Sequence, residues 1–310
     1  MKKYLLIAVA ATIIALGGLY FYLSRPDIAR LKEAELEGRE PTFTEGRRQV
    51  IPTVGIATPV GWAANAAPVA AKGLKVQRFA AGLDHPRSML LLPNGDILVA
   101  ETNSPPRPVE GLVDWIKAKL MGAAGAGSPS ANRITLLRDA NGDGVAEEKH
   151  VFLKGLNSPY GMALLGDTLY VANTDSLMAF PYKAGDTQIA DAGRKVASLP
   201  ANAPNYHWTK SLAVSPDGKL YVGIGSNSNI AEDGLDSEDN RAIVLEITPK
   251  DGTSNIYASG LRNPTDLAWN PWTGGLWAVV NERDMLGSDL VPDYLTDVEF
   301  AAFYGWPWNY

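Results

Sequence analysis

A unit of strand, turn and strand recurs four times in this chain, and that recurrence constrains the fold more than any other feature. The copies are "GLDHPRSMLLLPNGDILVAETN" from Gly82, "GLNSPYGMALLGDTLYVANTD" from Gly155, "NYHWTKSLAVSPDGKLYVGIGSNSN" from Asn205 and "GLRNPTDLAWNPWTGGLWAVVNERD" from Gly260. Each leads from a loop into an apolar strand, through a Gly- or Asp-bearing turn, into a second strand. Aligning Met89, Met162, Leu212 and Leu267 gives spacings of 73, 50 and 55 residues. The first is lengthened by an insertion at 104–129, where "VEGLVDWIKAKLMG" has helical apolar spacing. Repeats of roughly 40 to 50 residues with room for four strands are the mark of a β-propeller, in which each blade buries its faces against its neighbours. The expected fold is therefore all-β, a partial propeller over 73–310 with about four to five blades. Four-bladed propellers exist, so a complete small ring is one reading; nothing resembling another blade follows the fourth unit, so the chain is expected to be a fragment of a longer ring or a truncated gene product.

Ahead of the repeats, Lys2 and Lys3 precede an uncharged run from Tyr4 to Leu23. As a helix this run would rise about 30 Å, enough for a bilayer. Residues 1–23 are expected to be a transmembrane helix or a signal segment. In both cases the two lysines stay inside and the rest of the chain is exported, anchored to the membrane in the first and released after cleavage in the second. Residues 24–72, first charged and then rich in Ala and Pro, are expected to act as a linker.

Counting back five residues from each aligned apolar position gives Asp84, Asn157, His207 and Arg262. All lie in loops leading into the first strand of a blade. That strand lines the channel, so these positions should converge on one mouth. Neighbouring positions add Tyr160, Lys210, Asn263 and Asp266, and the ends of the second strands add Asn173, Asp175, Ser226 and Asn281. A base at His207 beside a fixed cation at Arg262 suits removal of a hydroxyl proton while negative charge builds on an acceptor.

The chain has no cysteine, which excludes disulfides and thiolate chemistry, and its net charge of −6 argues against a nucleic-acid partner. "DANGDGVAEEKH" sets Asp139, Asn141 and Asp143 at the spacing that opens a calcium loop, but His150 stands where a bidentate glutamate is needed. A tight hairpin turn is the first reading of these residues, and a structural calcium site the second. Residues 226–242 read as a solvated loop near the mouth.

Taken together, "GLDHP", "LPNGDILVAETN", "HWTKSLAVSPDGKLYVGIGS", "GLRNPTDLAWNP" and "YGWP" resemble the glucose/sorbosone dehydrogenase family, in its membrane-anchored L-sorbosone dehydrogenase-like branch. The resemblance implies a six-bladed periplasmic propeller that uses pyrroloquinoline quinone (PQQ), commonly with calcium. It implies that the protein oxidises a sugar or sugar aldehyde and passes electrons to a respiratory-chain acceptor. It also implies that His207 takes the substrate proton, that Arg262 stabilises the quinone oxygen, and that Arg262 and Asn263 contact the quinone. Tyr160, Lys210 and Asn281 are further candidate cofactor contacts. The family's aspartate after "IG" is Ser226 here, leaving Asp175 or Asp266 as candidates to orient the histidine. Two alternative functions stay open: a non-catalytic, membrane-tethered binding propeller, and a calcium-dependent lactonase-type hydrolase built on Glu101, Asn173 and Asp284.

Overall fold

The "SPDG" turn shows how the repeated unit closes. Ser215 N–H donates to Lys219 O, Gly218 N–H donates back to Ser215 O, and Gly218 adopts the φ of +82° that the turn requires. The same strand, turn and strand arrangement recurs in all four copies of a computed structural model that describes residues 2–47, 57–63 and 66–309.

The chain divides into two compact units, residues 1–56 with 282–293 and residues 57–281 with 294–310. In the first, α1 covers Lys2–Leu23 and α2 covers Glu33–Leu36. Its chain segments are held by Arg47, whose guanidinium pairs with Asp27 at 3.0 Å and Asp289 at 2.5 Å. Asp289 also accepts the backbone N–H groups of Arg30 and Leu31. Among the described residues, no helix is long and apolar enough to cross a membrane. The transmembrane helix expected at 1–23 therefore gains no support.

The second unit is the propeller. Blade one comprises β1 (Pro86–Leu91), β2 (Ile97–Glu101), β3 (Arg133–Arg138) and β4 (Glu148–Lys154), with α3 (Leu112–Ala123) inside the insertion. Blade two comprises β5 (Met162–Leu165), β6 (Thr168–Ala172), β7 (Ser176–Pro181) and β8 (Arg194–Ser198). Blade three comprises β9 (Lys210–Val214), β10 (Leu220–Ile224), β11 (Ile243–Ile247) and β12 (Ser254–Ser259). Blade four has three strands, β13 (Pro264–Trp269), β14 (Leu276–Val280) and β15 (Tyr294–Val298). Each sheet is an antiparallel meander in sequence order. The described residues thus form four blades, and the six implied by the resemblance are not seen.

Period-two alternation explains why blade three is buried on both faces. Leu220, Val222 and Ile224 of β10 pack with Ala163, Ala172 and Leu177 of blade two. Between them, Tyr221 packs with Leu267, Leu276 and Ala278 of blade four. A strand covered on both sides reads as a continuous apolar run, as "LYVGI" does, and each fully buried aliphatic side chain contributes about 1.5–3 kcal/mol. The first strands β1, β5, β9 and β13 lie next to one another in succession. This brings the loops before them to one end of the unit.

Candidate active site

Gly225 is where the two central loops meet. A Cβ on this glycine would stand 2.5 Å from both His207 Cβ and Asn263 Oδ1, so only a residue without a side chain lets the loops before β9 and β13 close on the end of β10. Ser226, the next residue, ties the two together. Its N–H donates to Arg262 O at 2.6 Å, and its carbonyl accepts from His207 Nδ1 at 2.8 Å.

These contacts assign the imidazole. Ser226 Oγ donates its proton to Ser228 O at 2.6 Å, so toward His207 Nδ1, 2.9 Å away, it acts as an acceptor. Both contacts therefore require a proton on Nδ1, which leaves the lone pair on Nε2. Burial first, then the positive charge of Arg262, lowers the His207 pKa to about 3; Arg241 and Lys210 add to the effect, and the bond to Ser226 opposes it. His207 is a neutral base at neutral pH. Its ring resonances are accordingly expected to stay fixed between pH 7 and pH 5 in an NMR titration. Movement with an ordinary histidine midpoint would show that the ring is not held in this way. Because the folded pKa lies below the ordinary 6.5, the unfolded chain binds the extra proton first. Stability should fall as the pH drops below about 6.5, by at most about 1.4 kcal/mol per pH unit from this group.

Arg262 is buried and fixed. Its Nε donates to Asn229 O at 3.0 Å, Nη2 to Asn229 Oδ1 at 2.6 Å and Nη1 to Asn281 O at 3.2 Å. Asn281 N–H in turn donates to Asn263 O at 3.0 Å. Asn229 O also accepts from Trp306 Nε1 at 3.3 Å, which brings the "YGWP" motif to the site. Asn263 is buried with its Oδ1 unpartnered. Lys210 is fully buried, and its Nζ reaches one backbone carbonyl, Trp208 O, at 3.3 Å. Desolvation lowers its pKa well below the ordinary lysine value, and Arg241 adds to this while Asp175 opposes it.

His207, Arg262, Asn263 and Asn281 are thus gathered at the junction of blades three and four, while Lys210, whose charge is favoured by Asp175 of blade two, lies toward that blade. Tyr160 joins from blade two at one remove, its ring edge-on to Trp208 with centroids 6.2 Å apart, while Gly161 N–H donates to Lys210 O.

Two expectations are corrected. Neither Asp175 nor Asp266 orients His207, because Ser226 does so through its carbonyl and hydroxyl. Residues 226–242 are not a solvated loop throughout, since Ser226, Asn227 and Ser228 are 0% exposed and Arg241 is 4% exposed. Sequence reading missed Arg241, Asn229 and Glu238. Arg241 donates to Pro200 O, Asn205 Oδ1 and Ser226 O, while its Nε has no partner. Burial lowers its pKa to about 10, with Glu238 opposing. The one signal available was their position after "GIGS", in a stretch too polar to read as core.

The Asp139 group lies elsewhere. The antiparallel pairings put the β3–β4 turn at the opposite end of blade one from the loop before β1. Asp139 Oδ1 accepts Gly142 and Asp143 N–H, Asp139 Oδ2 accepts Gly144 N–H, and Asn141 Oδ1 accepts Asp143 N–H. Carboxylate oxygens of Asp139, Asp143 and Glu147 do lie within 4.8 Å of one another. Backbone capping nevertheless accounts for Asp139 and supports the hairpin reading. Asp139→Ala is expected to cost about 1–3 kcal/mol in denaturant unfolding whether or not a chelator is present. A loss seen only without chelator would establish a metal there. Glu101, from the hydrolase alternative, is occupied by Arg133 at 2.8 Å and by Thr135 and the Asp84 N–H.

A family model described as TrAA12-like matches residues 129–297. The aldose sugar dehydrogenase YliI of Escherichia coli strain K12 is 25% identical over 134 residues, 39% of this chain and 34% of that protein. The match therefore spans about a third of that curated relative. Among solved structures, the iodide structure of a Trichoderma reesei family AA12 protein superposes with a TM-score of 0.61 and 20% identity, covering 78% of this chain and 60% of that one. The holo PQQ domain of Coprinopsis cinerea pyranose dehydrogenase gives a TM-score of 0.55 at 17% identity, covering 74% and 55%. The PQQ-bound aldose sugar dehydrogenase of Streptomyces coelicolor gives 0.53 at 22%, covering 78% and 68%.

Proposed function

The chain belongs to the TrAA12-like family, and from that premise we propose that it oxidises a sugar or sugar aldehyde with PQQ held where blades three and four meet. The observation that carries the reading is a neutral His207 with its Nδ1 proton fixed on Ser226 O, set among Arg262, Arg241 and Lys210. The same proposal puts the reaction in the periplasm, with electrons leaving to a respiratory-chain acceptor.

The residues present fit PQQ, a planar quinone bearing three carboxylates. Lys210 is an amine buried with one weak acceptor, Arg241 has an unsatisfied Nε, and Asn263 has an unsatisfied Oδ1. The two basic groups are costly without a ligand and become favourable beside a polyanion, while the Asn263 oxygen, an acceptor, would need an N–H or O–H donor from the ligand or substrate. Lys210, Arg241, Arg262 and Asn263 would hold it. When bound, the quinone supplies the acceptor for the two electrons of the oxidation. The chain itself supplies the base: His207 accepts the substrate hydroxyl proton at Nε2, and the Nδ1–H bond to Ser226 O stabilises the imidazolium that results. Arg262, locked by Asn229 and Asn281, presents a positive charge that needs no reorganisation as the reaction proceeds.

The test is PQQ titration of the purified protein, followed by dye reduction over a panel of aldoses and sugar aldehydes. PQQ-dependent turnover is expected. A folded protein that binds no PQQ would overturn the reading in favour of the binding propeller.

A further inference from the structure

Residues 226–229 serve both halves of the site, although they lie beyond the end of β10 and have no strand partner. At one end of this segment Ser226 fixes His207 and receives Arg262 O; at the other Asn229 takes two nitrogens of Arg262. The groups between them converge on a single carboxylate. Glu238 Oε2 accepts Asn227 N–H at 2.6 Å, and Oε1 accepts Ser228 N–H at 2.9 Å and Ser228 Oγ at 2.5 Å.

We propose that Glu238, through its grip on residues 226–229, is the positioning residue that sets the His207 tautomer and seats Arg262. The inference rests on the reading of His207 as the base. Ser226 and Ser228 explain the coupling. Ser226 Oγ is committed to Ser228 O, and Ser228 is held on its N–H and hydroxyl by Glu238, so the acceptors facing His207 Nδ1 stay in place only while Ser228 does. Without Glu238, two adjacent buried N–H groups and a hydroxyl lose a charge-assisted acceptor, and the segment must turn to find others. Glu238 is also the anion nearest in effect to Arg241, which shares Ser226 O with His207 at 3.2 Å. Its loss would disturb that shared carbonyl from a second side.

The test uses the full chain and needs no turnover. Long-range proton–nitrogen NMR of the PQQ-free protein reports the tautomer of each of its three histidines. Wild type should show His207 as a single Nδ1–H form. Glu238→Ala should convert it to a mixture and weaken PQQ binding about tenfold or more, through the loosened Arg262. Glu238→Gln keeps one acceptor oxygen and should lie between the two. Asp236→Ala removes an equal charge from the same exposed turn and should change neither readout. If Glu238→Ala does not give a folded spectrum, Glu238→Gln decides by the same measurement. An unchanged His207 tautomer in the folded Glu238 variant, or an equal change in Asp236→Ala, would overturn the proposal. Failure of wild type to bind PQQ would instead remove the functional reading and leave the tautomer result standing.

Discussion

His207→Ala should lower PQQ-dependent dye reduction by about 10²- to 10⁴-fold, the range a positioned general base supplies, while PQQ affinity stays within about threefold. The split follows from the geometry. The cations that fit the cofactor's charge belong to Lys210, Arg241 and Arg262, which are anchored by Trp208 O, Pro200 O, Asn205, Asn229 and Asn281 independently of the imidazole. Removing the ring also takes a hydrogen bond from Ser226 O, but Arg241 Nη2 still reaches that carbonyl. His207→Asn is a stricter variant. An amide can donate to Ser226 O yet has no basic lone pair, so it should keep stability and still lose turnover. Turnover near the wild-type rate in either variant would remove His207 from the chemistry. A parallel loss of PQQ binding would instead make it a structural part of the cofactor site.

The blades were legible because a propeller blade needs short apolar strands closed by tight turns, and both demands are written locally in stretches such as "LAVSPDGKLYVGI". Register then brought His207, Arg262 and Asn263 together without any long-range information. What could not be read was the support around them. Glu238 sits in a stretch, "AEDGLDSEDN", that composition marks as solvated, and nothing local shows that one of its carboxylates reaches back eleven residues to Asn227 N–H. The same limit explains the misassignment of Asp175 and Asp266. Sequence can show that an aspartate is absent at Ser226, but not that a carbonyl and a hydroxyl do its work. Arg241 escaped because it closes that polar stretch two residues before β11, whereas its guanidinium runs back toward Asn205 and Pro200 in the loop before β9.

Lys210→Met is expected to separate folding from function, stabilising the PQQ-free protein by roughly 1–3 kcal/mol while weakening PQQ binding at least tenfold. Lys210 opens β9 and is fully buried, yet it has no carboxylate within ion-pair distance among the described contacts. Asp175 favours its charge from farther off, but that carboxylate already accepts from Asn157 Nδ2 and Ser176 Oγ. Methionine matches the stem of lysine and carries no charge to desolvate, so the PQQ-free Tm should rise by about 2–4 °C for each kcal/mol gained. The pH dependence gives an independent sign. A lysine whose folded pKa is depressed binds fewer protons folded than unfolded, so wild-type stability should climb as pH rises toward about 10.4. The methionine variant should lack that climb. An anion bound beside Lys210 raises its pKa again, so at a pH above the folded Lys210 pKa, PQQ binding to wild type should take up a proton that the variant does not, measurable by calorimetry in buffers of different ionisation enthalpy. A variant that melts lower and binds PQQ normally would show that Lys210 is held by Asp175 for the fold, with the cofactor's charge met by the arginines alone.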